Sequence, residues 1–177
     1  MMYRYAVFCC SYFIPSLFIT ISASDINNNS VSLIYGEPTS TQNKTIYTYD
    51  VEYQRIFLRF DSNRYFLGAG AKLGQISVDN ERGERFSLYA TPGLNVGSFS
   101  FALVGGGIYL TKTVFGENDL KTKDYGGHFQ FILGANAIFH ATENWAIGYQ
   151  FEHMSNWNNY DHNPALNTHN LVLRYQF

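Results

Sequence analysis

Hydrophobic and polar residues alternate one by one along most of the chain after residue 25. An apolar residue at every second position is typical of a β-strand, because successive side chains of a strand point to opposite faces. Most of these segments reach or exceed the roughly 9–11 residues that a tilted strand needs to cross a bilayer. The pattern predicts an all-β protein with eight strands, at residues 30–35, 45–60, 64–78, 85–96, 99–113, 127–140, 145–156 and 167–177.

The connections between the predicted strands alternate between long and short. Long connections are expected at 36–44, 114–126 and 157–166, short ones at 61–63, 97–98 and 141–144, and one of intermediate length at 79–84. Outer-membrane barrels have an even number of strands, short turns at the periplasmic end and longer loops outside. We therefore predict an eight-stranded antiparallel transmembrane β-barrel in the bacterial outer membrane.

The alternation also assigns the two faces of each strand. In the last three predicted strands the outward, lipid-facing side chains are Phe129, Phe131, Leu133, Phe139, Trp145, Ile147, Tyr149, Phe151, Leu171, Leu173, Tyr175 and Phe177. The inward side chains of the same strands are Gln130, Gly134, Asn136, Ala146, Gly148, Gln150, Glu152, Asn170, Arg174 and Gln176. A polar interior and an apolar exterior are what a barrel in lipid requires.

The predicted interior mixes small and long side chains. Gly68, Gly70 and Gly74 leave room for the long side chains of Lys72 and Arg174, a mixture that fills a narrow barrel. We expect Arg174 to pair with the inward carboxylate of the seventh strand, Glu152.

Two strands are expected to be irregular. The apolar parity of the second strand slips near Arg55, which indicates a β-bulge. Pro92 has no N–H to donate to a neighbouring strand, so the ladder should be disturbed there as well.

Composition supports strands and a cleaved leader. Aromatic residues make up 18% of the chain, mean hydropathy is −0.17, and no apolar run after residue 24 could cross a bilayer as a helix. Arg4 precedes an apolar run at 6–21, and the small residues at 22–24 follow, which predicts a signal peptide over residues 1–24. The barrel domain is then expected at residues 25–177.

The net charge, the cysteines and the histidines limit which partners and ligands we expect the protein to bind. The net charge is −2 and the basic residues are scattered, so we expect no nucleic-acid partner. Cys9 and Cys10 both lie in the predicted signal peptide, and His140 and His162 are expected to be solvated or interfacial. We therefore expect no metal ion and no cofactor. The C-terminal Phe177 resembles the sorting signal that the outer-membrane assembly machinery reads.

The outward face of the seventh strand continues into reactive side chains. After Phe151 the next outward residues are His153 and Ser155, about 6.6 Å apart by strand rise. The last strand brings Asn167 to its own outward face at the same end. Because a base and an orienting group can activate a serine, we expect these three residues to converge at the extracellular rim. A site there faces the outer leaflet, and its substrate would be a lipid ester.

Residues 151–156 and 163–167, followed by a terminal strand, resemble the lipid A 3-O-deacylase family, related by name to acyloxyacyl hydrolases. The resemblance is strongest over the last third of the mature chain. It implies an eight-stranded outer-membrane barrel that removes the ester-linked 3-position acyl chain from the lipid A of lipopolysaccharide. It also implies that His153 is the general base, that Ser155 is the nucleophile, and that Asn156 belongs to the His-x-Ser-Asn motif.

The chain departs from the family pattern at the third member of the triad. The family places Glu where this chain has Asn167, and an amide carries no charge to stabilise the imidazolium. His169, on the same outward face, and Asp161, in the adjoining loop, are alternatives to Asn167. For the oxyanion, the amide side chains of Asn156 and Asn163, or backbone N–H groups of the loop, are candidates.

The resulting hypothesis is an outer-membrane serine esterase that acts on lipid A. The headgroup is expected near basic loop residues, of which Lys121, Lys123 and Arg82 are candidates. Two alternatives remain open: a non-enzymatic barrel for adhesion or membrane integrity, and a soluble ligand-carrying barrel with the reverse face pattern. Whether the protein forms a homodimer is also left open.

Overall fold

The computed structural model describes residues 27–116 and 122–177, so the predicted signal peptide and Lys121 lie outside the described residues. The structure has eight long strands, which are β1 Asn29–Pro38, β2 Ile46–Phe60, β3 Tyr65–Val78, β4 Glu81–Val96, β5 Phe99–Leu110, β8 Phe129–His140, β9 Trp145–Ser155 and β10 Leu166–Gln176. They close into one antiparallel barrel, in the order β1-β10-β9-β8-β5-β4-β3-β2. The short strands β6 Val114–Phe115 and β7 Lys123–Asp124 form a hairpin in the loop between β5 and β8.

The eight-stranded barrel predicted from the sequence is confirmed, with differences at strand ends. β1 runs through Pro38 because it pairs along its length with both β2 and β10, which close the barrel. β4 begins at Glu81, so the predicted intermediate loop is in fact a two-residue turn at 79–80. In this turn Asp79 adopts a left-handed φ of 53°. Lys44 donates to the Asp79 carboxylate at 2.9 Å and holds its pKa below the ordinary value.

Both expected irregularities are present. The register of β2 against β3 shifts between Ile56 and Leu58, next to the predicted position. The ladder between β4 and β5 lapses between the pairs Ala90–Gly105 and Gly93–Ala102, a gap that contains Pro92. The missing proline N–H accounts for the second irregularity.

The faces of the wall follow the predicted parity. Outward leucines such as Leu73 and Leu133 are each 64% exposed, whereas inward Lys72 is 1% exposed. Apolar residues outside and charged residues inside are the arrangement of a barrel in lipid, and the opposite of a soluble ligand-carrying barrel. The described residues contain no helix that is long and apolar enough to cross a membrane.

A belt of buried ion pairs fills the middle of the barrel. The pairs are Lys72–Glu152 at 2.6 Å, Arg85–Asp50 at 2.6 Å, Arg85–Glu152 at 3.0 Å and Arg174–Glu52 at 2.9 Å. The expected pairing of Glu152 with Arg174 is therefore wrong. Arg174 pairs in register with Ala146, six residues along β9 from Glu152, so it meets Glu52 of β2 instead. Removing one partner of such a pair typically costs about 3–5 kcal/mol, because the other charge stays buried.

Apolar side chains close the extracellular end above this belt. Phe115, the last residue of β6, and Tyr125, which follows β7, are 0% and 1% exposed and pack edge to face with ring centroids 6.1 Å apart. They belong to one buried cluster with residues of the strand ends, among them Ile76, Met154 and Leu166. Met154 lies between His153 and Ser155 in sequence, so this cluster anchors the end of β9 from inside.

Candidate active site

His153 and Ser155 lie on the lipid-facing side of the barrel, near the extracellular end of β9. The intervening and preceding residues, Met154 and Glu152, are each 2% exposed and point inward. Because Glu152 is held by Lys72 and Met154 by the apolar cluster, the parity of β9 is pinned at both positions. A slip of one residue would turn the histidine and serine into the lumen and bury them.

Asn167 contacts His153 directly across the β9–β10 ladder. The two residues are register partners, and Nδ1 of His153 lies 2.6 Å from Oδ1 of Asn167. An amide oxygen only accepts hydrogen bonds, so Nδ1 carries the proton and Nε2 keeps a free lone pair. The pair therefore holds the imidazole in the tautomer that a general base needs.

Ser155 lies one strand repeat beyond His153, on the same face. Within the described residues no hydrogen bond joins its hydroxyl to the imidazole, although both side chains line one groove. Catalytic hydrogen bonds are often long without substrate and tighten in the reactive complex. The structure therefore brings together the histidine and the asparagine, and places the serine beside them.

The groove has a volume of ≈ 530 Å³ and crosses from β9 over β8 to β5. Its lining residues are Gly105, Gly106, Phe131, Ile132, Leu133, His153, Ser155, Trp157, Asn158 and Asn163. Polar side chains lie at the β9 end, and apolar or absent ones at the β5 end. Such a gradient suits a molecule with a polar ester at one end and a hydrocarbon at the other.

The two candidate oxyanion donors, Asn156 and Asn163, both lie in the loop after Ser155, but only one of them faces the groove. The side chain of Asn156 is fully buried, and its Nδ2 donates to the backbone carbonyl of His162 at 2.7 Å. It therefore points away from the groove and holds the loop. Asn163 lines the groove, and its Oδ1 accepts the backbone N–H of Asn156 at 2.9 Å, which leaves Nδ2 as a donor.

The backbone of this loop also turns sharply beside the serine. Trp157 and Asn158 have left-handed φ values of 52° and 60°, and both line the groove. Two successive left-handed residues turn the chain sharply just after Ser155. Trp157 is 75% exposed, and its ring packs edge to face on Phe131 at 5.8 Å.

The other sequence-predicted candidates lie elsewhere. His169 is hydrogen-bonded to the Tyr149 hydroxyl, and Asp161 is exposed in the loop. Lys123 and Arg82 do not line the groove. Sequence reasoning missed the contribution of β5, because Gly105 lies 48 positions before His153 and only the strand order brings them together.

A second group of serine, histidine and amide lies at the other end of the barrel. Inside the lumen, Ser100 Oγ is 2.6 Å from His140 Nε2, and His140 Nδ1 is 2.8 Å from Gln176 Oε1. Ser100 donates its own proton to Asn95 Oδ1 at 2.7 Å. All four side chains are at most 9% exposed, so this group serves the packing of the periplasmic end.

Comparison with known proteins identifies similar sequences and folds. The profile of the lipid A 3-O-deacylase (PagL) family matches residues 30–176, whereas no curated protein gives a significant match. The crystal structure of the outer-membrane enzyme PagL is similar, with a TM-score of 0.58, 14% identity, and coverage of 84% of this chain and 99% of that one.

Barrels with other names share the fold. The N-terminal barrel of Pseudomonas aeruginosa OprF superposes with a TM-score of 0.62 at 12% identity, over 86% of this chain and 98% of that one. Ail, the attachment invasion locus protein of Yersinia pestis, superposes with a TM-score of 0.53 at 15% identity, over 86% and 99%. These likenesses establish an outer-membrane barrel fold alone.

Proposed function

The chain belongs to the lipid A 3-O-deacylase family, and on that premise we propose that it is a serine esterase that hydrolyses the 3-position acyl ester of lipid A. One observation carries the proposal: His153, hydrogen-bonded to Asn167, lines a groove on the lipid-facing wall together with Ser155. The barrel is an outer-membrane protein, so lipid reaches this groove sideways from the leaflet without entering the lumen.

In the proposed reaction, Nε2 of His153 takes the proton of the Ser155 hydroxyl as Oγ attacks the ester carbonyl carbon. The tetrahedral intermediate then collapses, and the imidazolium gives its proton to the departing sugar oxygen. An acyl-enzyme on Ser155 remains. Water, deprotonated by the same histidine, cleaves it and releases the fatty acid.

Negative charge develops on the former carbonyl oxygen and needs donors already in place. We assign this task to Nδ2 of Asn163, whose Oδ1 is fixed by the Asn156 backbone, and to the backbone N–H of Asn158. The buried side chain of Asn156 serves the site indirectly, since it ties the loop to the His162 carbonyl.

Asn167 acts as the orienting third member. Its Oδ1 keeps the proton of His153 on Nδ1, as a carboxylate would, but it does not offset the positive charge of the imidazolium. A neutral third member therefore supports the tautomer and the ring orientation while giving less transition-state stabilisation than an acid. This assignment predicts a slower enzyme than one with glutamate at the same position.

Mass spectrometry of lipid A tests the proposal. Lipid A from cells that express the wild-type barrel should lack one 3-position acyl chain that is present in cells without the barrel. Expression of Ser155→Ala or His153→Ala should leave lipid A unchanged, although each variant still inserts and shows the heat-dependent gel migration of a folded barrel.

A purely structural or adhesive barrel would behave differently. Lipid A would then be the same in cells that express the wild type, either variant, or no barrel. Deacylation that persists in Ser155→Ala would remove the serine from the mechanism while leaving the family assignment intact.

A further inference from the structure

The groove beside Ser155 ends over a run of three glycines in β5, Gly105 to Gly107. Of the other outward positions of this strand, four carry large side chains, namely Phe99, Phe101, Leu103 and Tyr109. The fifth, Gly107, is covered by the ring of Phe129, since a Cβ added there would lie 2.9 Å from Phe129 Cζ. The wall of this strand is therefore thin above Gly105, and the register of the barrel sets which residues lie beside that point.

The register aligns this thin point with the catalytic pair. Gly105 pairs with Leu133, Leu133 pairs with His153, and His153 pairs with Asn167. Gly105 thus lies on the same rung as the histidine, two strand spacings or about 10 Å away. A molecule attached to Ser155 reaches Gly105 by crossing a single strand, β8.

The backbone does not require glycine at this position. A Cβ atom added to Gly105 would meet nothing within 4 Å, and its φ is not in the left-handed region. The neighbouring Gly106 is different, because a Cβ there would come within 2.0 Å of the Leu88 carbonyl oxygen. Packing explains Gly106 and leaves the space above Gly105 unexplained.

We propose that this space is the subsite for the acyl chain of the scissile ester, and that residue 105 determines how long a chain the enzyme accepts. The inference rests on the proposed function of Ser155. The polar end of the groove takes the ester, and Phe131, Leu133 and the bare backbone at Gly105 take the methylenes. A side chain at residue 105 would fill the far end of the groove and exclude the distal part of a long chain.

Two esters of different length test the subsite in the purified, folded barrel. We compare kcat/KM for p-nitrophenyl palmitate with kcat/KM for p-nitrophenyl acetate in the wild type, Gly105→Leu and Gly105→Ala. The ratio of palmitate to acetate should fall by about tenfold or more in Gly105→Leu, because even one methylene is worth about tenfold in an apolar pocket. Gly105→Ala should lower the ratio less, since it adds only a methyl group.

Ala69→Leu is the matched control. Ala69 pairs with Ala90, and Ala90 pairs with Gly105, so Ala69 lies on the same rung and faces lipid two strands beyond the groove. The same leucine is added there on the lipid-facing surface but outside the groove, and the ratio should keep its wild-type value.

The possible outcomes separate the two proposals. An unchanged ratio in Gly105→Leu, or an equal loss on both esters, overturns the subsite while the esterase stands. If leucine prevents folding, the ratio in Gly105→Ala decides, since its methyl group meets no neighbour. If the wild type hydrolyses neither ester, or Ser155→Ala hydrolyses both, the proposed function is overturned and the subsite with it.

Discussion

The described part of the barrel contains two groups of serine, histidine and amide, and they differ in what surrounds them. In the inner group, short hydrogen bonds join His140 to Ser100 and to Gln176, and burial of all three side chains keeps a substrate from reaching the serine. The outer group has a histidine held by an amide, a serine without a hydrogen bond to it, and an open groove. Judged by hydrogen-bond distances alone, the inner group looks the better catalyst.

Access for a substrate reverses that judgement. Nδ1 of His140 donates to Oε1 of Gln176, so Nε2 of the neutral ring is an acceptor that faces Ser100, but all three side chains are buried in the lumen. In the outer group, His153 and Ser155 both line an open groove on the lipid-facing wall. A satisfied, buried hydrogen-bond network stabilises a fold, whereas a nucleophile needs a base and also a path for the substrate.

The largest difference between the two groups should appear with a serine-directed fluorophosphonate. The probe should label Ser155 in the folded barrel, and Ser155→Ala should lower labelling by at least about 10³-fold. Ser100→Ala should label as the wild type does, because Ser100 is 7% exposed and faces the lumen. Mass spectrometry of the labelled peptides makes the measurement, and modification at Ser100 would contradict the comparison.

The next effect concerns Asn163, the oxyanion donor that we propose for the outer group. Asn163→Asp keeps the oxygen that accepts the Asn156 N–H and removes the donor, so kcat should fall by about 10²–10³-fold. Asn159→Ala, an exposed position in the same loop, is the control and should retain the wild-type kcat. Equal activity in Asn163→Asp and the wild type would show that other donors hold the oxyanion.

A smaller effect is expected from the charge of the third member. Asn167→Ala should lower kcat/KM by about 10²-fold, since the imidazole loses its tautomer partner, whereas Asn167→Glu should raise it above the wild type. A carboxylate also favours the protonated imidazole, so the acidic limb of the pH profile should move to higher pH in Asn167→Glu.

Kinetics across a pH series make both measurements. The same profile in Asn167→Glu and the wild type would show that residue 167 does not act on the imidazole. Loss of activity in Asn167→Glu would show that the site is built around a neutral amide.

A substitution in the inner group should have the smallest effect on catalysis, but it should lower the stability of the barrel. His140→Ala removes two buried hydrogen bonds and should lower the free energy of unfolding by about 1–3 kcal/mol, with esterase activity retained. Urea unfolding, followed by gel migration, measures this change in the free energy of unfolding. His162→Ala removes only an exposed contact with Asp124 and should change stability by at most about 1 kcal/mol.

The outer site could be predicted from the sequence because strand parity is a local property. Once β9 is recognised as a strand, His153 and Ser155 must share a face with Phe151, and they do. The ion pairs inside the barrel were not predictable in the same way. Glu152 faces inward as expected, but its partners Lys72 and Arg85 come from strands on the far side of the lumen.

The sequence by itself determined the number of strands, their order, the lipid-facing side of each strand and the proximity of His153, Ser155 and Asn167. These features follow from a period of two residues and from short-range antiparallel pairing. The tertiary structure decided which charges pair in the lumen, that Asn156 points inward while Asn163 faces the groove, and that Gly105 completes the groove. Such contacts depend on barrel closure and register, which bring distant segments together without leaving a periodic pattern in the chain.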